Sequence, residues 1–158
     1  MVAIARCCNE QRVTQIICFY QFRILIFATD SNLMMLCDSS TVFGNETFNS
    51  CPGRFYQLYT LHGYVEDTSY PLVFALLPNK TEQTYTRLFT MLKGALLQNN
   101  FFLTPQLVLM DFETAARNAL KAVGPQMTLK ACCFHFTLSI WRKTQACGLA
   151  GLEWYIKC

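Results

Sequence analysis

The apolar and polar positions along the first half of the chain follow the two-residue period of β-strands. Four runs rich in aromatic and branched residues are separated by Gly, Pro, Asn and Asp turn residues, at 23–29, 42–48, 55–64 and 71–77. We expect the last three runs to form an antiparallel meander, with Pro71 opening its strand because proline cannot donate a ladder hydrogen bond. A short helix capped by Asp30 or Ser31 is predicted after the first run, and residues 1–21 carry no clear signal.

The second half of the chain alternates between helical and strand patterns. Asn79 and Glu82 have the spacing of a capping box, and apolar residues recur after them at helical intervals, at Tyr85, Leu88, Phe89, Leu92 and Leu96. A buried strand at 107–110 is predicted next, then a helix that stops at Gly124-Pro125, a strand at 127–134 and a helix at 137–147.

Two side-chain patterns place the last two of these helices. Phe112, Ala116, Ala119, Leu120 and Val123 form an apolar stripe. Beside it Glu113 and Arg117 have the spacing of an ion pair, and in the last helix we expect Trp141 to point inward.

This order of elements predicts an α/β domain built on a mixed sheet with helices, in which three antiparallel strands are joined by two parallel strands. The ribonuclease H-like fold has this order, among a few others. The length of 158 residues suits one domain, and a composition that is 53% hydrophobic and 15% charged favours a buried core over disorder. The net charge of +3 comes from scattered Lys and Arg residues, so it identifies no partner.

Nothing in the sequence predicts a membrane span or secretion. The apolar stretch at 16–28 is interrupted by Gln21 and Arg23, which leaves it short of the ~18 apolar residues that a span needs. The nine cysteines are an odd number without a Cys-x-x-Cys pair, and no small-residue cleavage pattern follows the apolar stretch.

Asp111 is the best candidate for a metal ligand. Phosphoryl transfer on DNA by Mg²⁺ needs carboxylates that converge from separate strands, and Asp111 directly follows the buried strand at 107–110. The alternative is that Asp111 caps the next helix. The neighbouring strand, VFGNETF, would place Asn45 or Glu46 in the same crevice, and an Asn brings no negative charge to a cation.

Cys132 and His135 form a Cys-x-x-His pair. The pair is close enough to share a zinc ion, but a structural zinc site needs four ligands and the sequence shows no second pair. The alternative is a buried thiol and a hydrogen-bonded histidine at the end of a strand.

Several segments together resemble the catalytic domain of Mutator-like element (MULE) transposases, from about Arg23 to Leu149. The most specific are ALLPNKTEQTY, DFETAARNA and CCFHF followed by IWRK. The resemblance implies a ribonuclease H-like fold and an Asp, Asp, Glu set that binds two Mg²⁺ ions. It also implies a family Cys-x-x-His motif at Cys132 and His135.

The resemblance predicts an incomplete set of acids. Asp111 matches the second Asp of the family, whereas Asn45 stands where the family has its first Asp, in an Asp-Gly-Thr-Phe motif that here reads Asn-Glu-Thr-Phe. The third acid has no counterpart, since Glu153 follows IWRK too soon. We therefore expect a C-terminally truncated, catalytically inactive domain over residues 23–158, preceded by a segment of unclear structure at 1–22.

The resemblance implies a function in DNA transposition, with the terminal inverted repeats of a transposon as partner and the nucleus as location. Self-association or pairing with an intact transposase is a further expectation, and no membrane is involved. The alternatives are a non-catalytic DNA- or protein-binding module and a transposon remnant without function.

Overall fold

The structure is a computed structural model that describes residues 3–7, 14–19, 23–47 and 51–149. It contains one eight-stranded sheet, whose spatial order is β1-β2-β3-β6-β5-β4-β7-β8, and four helices. The strands are β1 (Ala3–Cys7), β2 (Thr14–Phe19), β3 (Ile24–Thr29), β4 (Thr41–Thr47), β5 (Gln57–Val65), β6 (Thr68–Leu77), β7 (Leu107–Met110) and β8 (Thr128–Ala131). The helices are α1 (Asp30–Asp38), α2 (Glu82–Gln98), α3 (Thr114–Val123) and α4 (Cys133–Ala146).

Five neighbouring strands confirm the predicted ribonuclease H-like arrangement. β4, β5 and β6 form an antiparallel meander, β7 lies parallel to β4, and β8 lies parallel to β7. The sheet is therefore mixed, with the three antiparallel and two parallel strands that the sequence predicted. It is wider than predicted, because β3 pairs with β6 and the β1–β2 hairpin adds two strands from the segment without a clear sequence signal.

The hydrophobic core lies between the sheet and the helices, chiefly α2, and includes Leu33 and Leu36 of α1. The apolar face predicted for α2 is buried as expected, and α3 contacts α2 and adds Ala116, Ala119 and Leu120 to the same core. Burial alternates along β3 and β4, so that one face of the sheet meets this core. Tyr59 and Met110, which point into it from β5 and β7, are at most 2% exposed.

Two helices begin with a threonine cap rather than at the predicted residues. Thr29 accepts a hydrogen bond from the Asn32 N–H at the start of α1, where Asp30 or Ser31 had been predicted as the cap. Thr81 caps α2 by accepting from the Thr84 N–H, so the predicted cap at Asn79 is wrong. The Asn79 side chain instead accepts from the Thr81 N–H and from both threonine hydroxyls, which fixes the turn before the helix.

Pro71 lies inside β6, although it was predicted to open that strand. It faces His62 of β5, where the register shifts by a bulge between Leu61 and His62. On its other side β6 pairs with β3 only at residues 74–76. A proline is tolerated here because a bulge already interrupts the ladder and no second strand requires its missing N–H.

The last strand and the last helix differ from their predicted bounds. β8 ends at Ala131 instead of residue 134, and α4 already starts at Cys133. Trp141 was expected to point inward, but it is 40% exposed, and α4 buries none of its residues. Helical spacing had indicated an inner face that the described part of the chain does not cover.

Within the described residues, no helix is both long enough and apolar enough to cross a membrane.

Candidate functional site

Three carboxylates meet where the ends of two parallel strands lie side by side. β4 and β7 pair through Val42 and Val108, so the ends of both strands reach the same edge of the core. Glu46 lies near the end of β4, Asp111 follows β7, and Glu113 precedes α3. One oxygen from each carboxylate lies within 4.8 Å of the other two. No other group of three or more His, Cys, Asp or Glu side chains in the described residues is arranged to hold a metal ion.

The ammonium group of Lys80 lies against two of these carboxylates. Lys80 Nζ is 2.9 Å from Glu46 Oε2 and 3.3 Å from Glu113 Oε2. The side chains of Glu46 and Glu113 are only 5% and 16% exposed, against 33% for Lys80. The lysine therefore neutralises part of a charge cluster that is screened from solvent.

A tyrosine hydroxyl links the same two carboxylates from inside the core. Tyr85 Oη lies 3.0 Å from Glu46 Oε1 and 3.0 Å from Glu113 Oε2, and it accepts a 2.7 Å hydrogen bond from Gln57 Nε2. Because the hydroxyl has one hydrogen to donate, it cannot satisfy both carboxylates fully.

Burial dominates the electrostatics of the cluster. Burial raises the pKa of Glu46, and a hydrogen bond with the Glu113 carboxyl raises it further, while Lys80 and Tyr85 offset only part of the rise. Burial also raises the pKa of Asp111, against the lowering effect of a hydrogen bond from the Glu113 backbone. Both shifts show that the negative charge here is incompletely balanced.

Tyr59 approaches the cluster from β5. Its side chain is buried, and its hydroxyl finds no hydrogen-bond partner within the described ranges. Burial raises the pKa of Tyr59 well above its usual value, and the charges of Asp111, Glu46 and Glu113 add to the effect. The hydroxyl lies beside Gly44 of β4, where a Cβ would overlap it. Tyr59 thus places an unpartnered hydroxyl close enough to the three carboxylates for their charges to act on it.

Asp111 is not the cap of α3, which was the alternative to its role as a ligand. The helix begins at Thr114, and its cap position is occupied by Glu113, whose side chain makes no capping bond. Asp111 Oδ1 accepts a 3.0 Å hydrogen bond from the Glu113 N–H. This bond fixes the carboxylate at the turn between β7 and α3.

Arg117 and Phe112 also differ from their predicted positions. Arg117 Nη1 donates to the carbonyls of Asp111 and Lys130, at 3.5 and 3.4 Å, while Glu113 pairs with Lys80 rather than with Arg117. Phe112 is 51% exposed and lies outside the helix, so it is not part of the buried stripe.

The structure brings Glu46, and not Asn45, to Asp111. Successive strand residues point to opposite faces, so Asn45 lies on the other face of β4 from Glu46. The backbone carbonyl of Asn45 accepts a 3.3 Å hydrogen bond from Thr60 Oγ1. Glu46 had been an alternative from the sequence, and Glu113 had been considered only as an ion-pair residue. The Asp-x-Glu spacing of Asp111 and Glu113 after β7 could have identified Glu113 as a member of the site.

Cys132 and His135 lie at the start of α4, which begins at Cys133. Cys132 is the cap residue and His135 belongs to the first turn. His135 Nδ1 is buried without a partner in the part of the chain that is described, and the side chain lies close enough to Asp111 to interact with it electrostatically. No third zinc ligand joins this pair among the described residues. The pair therefore borders the acidic cluster without forming a recognisable zinc site there.

The strand order and the carboxylates at the β4–β7 junction define a ribonuclease H-like domain with an acidic site. The family model described as MULE transposase domain matches residues 44–139, which is more than half of the chain. The chain therefore belongs to the MULE transposase domain family. A comparison with curated proteins gave no match.

One solved structure is similar over 76% of this chain and 45% of its own chain, with 11% sequence identity and a TM-score of 0.39. It is described as the cryo-EM structure of the simian T-cell lymphotropic virus intasome in complex with PP2A regulatory subunit B56 gamma. The present chain thus spans less than half the length of that chain.

Proposed function

We propose that this domain serves DNA transposition by binding transposon-end DNA beside a divalent-cation site, and that it does not cut the DNA by itself. The observation that carries the proposal is the meeting of Glu46, Asp111 and Glu113 at the β4–β7 junction, inside the region that matches the MULE family. Binding to chromosomal transposon ends implies action in the nucleus.

Arg117 of α3 borders the acidic cluster, and three further basic residues are exposed on β8 and α4. Arg117 donates to the backbone carbonyl of Asp111, and the exposed Lys130 follows in β8. Arg142 and Lys143 are exposed on α4. Such groups bind phosphates, which supply most of the affinity of proteins for DNA. A DNA phosphate bound beside Arg117 would lie next to Asp111.

The cluster has the chemistry of a Mg²⁺ site. Mg²⁺ prefers hard oxygen ligands and usually keeps several of its waters. The three carboxylates offer such ligands, and the unpartnered Tyr59 hydroxyl nearby could donate a hydrogen bond to a metal-bound water. When bound, the ion would supply Lewis-acid stabilisation of charge on a phosphate.

The absence of cleavage follows from the composition of the site. The MULE family's first Asp corresponds to Asn45, whose side chain lies on the opposite face of β4 from the cluster. Lys80 also neutralises two of the carboxylates that remain. A weakened metal site that loses several kcal/mol of transition-state stabilisation reacts on the order of a hundredfold or more slowly.

The test combines DNA binding with a cleavage assay on the same duplex, a terminal inverted repeat of a MULE transposon. We expect fluorescence anisotropy to show binding that weakens as salt rises, and gels to show no nicking with Mg²⁺ or Mn²⁺. Arg142→Gln with Lys143→Gln should lower the affinity and reduce the slope of log K against log salt by about 0.9 for each lost phosphate contact. Lys93→Gln, on α2 near the opposite end of the core, should leave both unchanged.

Two results would contradict the proposal. Mg²⁺-dependent nicking that disappears in Asp111→Asn would show that the domain is an active nuclease. Binding that is insensitive to salt, or equal in the wild type and the double variant, would remove the proposed DNA surface.

A second candidate function is non-catalytic binding to another copy of a MULE domain. It is favoured by the apolar side chains that α4 leaves exposed, since Phe134 is 67% and Phe136 51% exposed. Exposed patches of this kind often mark interfaces. Light scattering after size exclusion tests it. A dimer that Phe136→Gln with Trp141→Gln converts to a monomer supports this function, and a wild-type monomer excludes self-association.

A further inference from the structure

The acidic cluster already contains a positive charge of the chain's own. Lys80 lies between β6 and α2, and its ammonium group contacts Glu46 and Glu113 from the solvent side, whereas Tyr85 contacts the same carboxylates from the core. The lysine side chain is one-third exposed, so it can leave the cluster without opening the core.

We propose that Glu46, Asp111 and Glu113 form a site for one divalent cation and that Lys80 competes with the cation for this site. The inference rests on the cation site of the proposed function and adds its regulation. In the absence of the cation, the ammonium group binds Glu46 and Glu113. A bound cation takes over the carboxylate oxygens, and Lys80 moves to solvent.

The Tyr59 hydroxyl is the second observation that points to a cation. It is buried and unpartnered within the described part of the chain, and the charges of all three carboxylates act on it. Lys80 forms its ion pairs of 2.9 and 3.3 Å with Glu46 and Glu113. The waters of a hydrated cation at this cluster are hydrogen-bond acceptors that the Tyr59 hydroxyl lacks, whereas Lys80 cannot serve as one because an ammonium group has no acceptor.

Mutual exclusion follows from charge and geometry. Lys80 Nζ bonds one oxygen each of Glu46 and Glu113, which are two of the three carboxylates that would hold the cation. Two positive charges on one pair of carboxylates repel each other, so binding of one weakens binding of the other. Loss of the lysine must therefore tighten cation binding.

The experiment measures Mn²⁺ binding to the full chain by the electron paramagnetic resonance signal of the free ion. We expect Lys80→Met to lower the Kd by about tenfold, since the ion no longer displaces charge-assisted hydrogen bonds. Lys80→Arg keeps the positive charge and should bind as the wild type does. Lys93→Met removes the same charge from α2 and is the matched control, with an unchanged Kd expected.

A second substitution assigns the binding to these residues. Glu46→Gln in the Lys80→Met background should abolish the gain in affinity, and circular dichroism should show that each variant remains folded. Equal Kd values for the wild type and Lys80→Met would overturn the competition while leaving cation binding intact. If neither protein binds Mn²⁺, the cation site itself is wrong, whereas DNA binding by the domain is judged by its own salt-dependent assay.

Discussion

Gly44 of β4 has no side chain, and this leaves room for the Tyr59 hydroxyl in the core. A Cβ at this position would overlap Tyr59 Oη and would lie 3.3 Å from Tyr59 Cζ. The tyrosine ring cannot easily withdraw, because it packs edge-on against Tyr85 and Phe89 with centroid distances of 5.5 and 6.1 Å. The approach of Tyr59 to the carboxylates therefore depends on a glycine in β4.

Gly44→Ala is expected to lower the free energy of unfolding by about 1–3 kcal/mol, the usual cost of an added group in a packed core. Gly94→Ala is the matched control, because nothing lies within 4 Å of a Cβ at that position of α2. The control should raise the free energy of unfolding by about 0.8–1 kcal/mol, since Ala is the better helix former. Urea denaturation measures both. A stabilising effect at Gly44 would show that Tyr59 does not approach β4 as described.

At the scale of the element, the buried face of α2 could be predicted from the sequence, whereas the residue that caps its start could not. Its buried residues follow from helical spacing, because every fourth or third side chain meets the same surface. The cap could not be chosen from the sequence, since both Asn79 and Thr81 are capping residue types and stand two positions apart. The turn made by Asn79 decides in favour of Thr81.

Thr81→Ala should lower the free energy of unfolding by about 1 kcal/mol, because the Thr84 N–H loses its side-chain acceptor and keeps the Thr81 carbonyl. Thr86→Ala, on the same helix, is the control. The Thr86 hydroxyl only donates to the Glu82 carbonyl on an exposed surface, so its loss should change the stability by a few tenths of a kcal/mol at most. Thermal unfolding compares the two variants, and equal effects would argue against a cap at Thr81.

At the scale of the whole molecule, the described core lies on the α2 side of the sheet, and α4 stands outside it. Leu88 of α2 is 1% exposed, whereas Phe134 and Trp141 of α4 are 67% and 40% exposed. Both helices have apolar residues at helical spacing, so the sequence pattern predicts a buried face for each of them. Only the packing of the other elements distinguishes a buried face from an exposed one.

Leu88→Ala should lower the free energy of unfolding by about 2–5 kcal/mol through the cavity it leaves. Phe134→Gln and Trp141→Gln should each stay within about 0.5 kcal/mol of the wild type, as surface substitutions do. Chemical denaturation at low protein concentration measures the three variants. If Trp141→Gln lowered the free energy of unfolding nearly as much as Leu88→Ala, Trp141 would point inward, as the helical spacing had predicted.

The sequence by itself determined features that depend on neighbours along the chain. Strand and helix periods, the stop at Gly124 and the position of Asp111 after a buried strand are of this kind, and the order of elements was enough to predict the mixed sheet. These features follow from local geometry, which the residue pattern carries directly.

Only the tertiary structure decided which acids meet. The pairing of β4 with β7 turned Glu46 rather than Asn45 toward Asp111, since a shift of one residue in a strand reverses the face of every side chain. Lys80 reaches Glu46 and Glu113 across 34 and 33 residues of sequence. No local pattern encodes such contacts, because they arise when separate elements pack together.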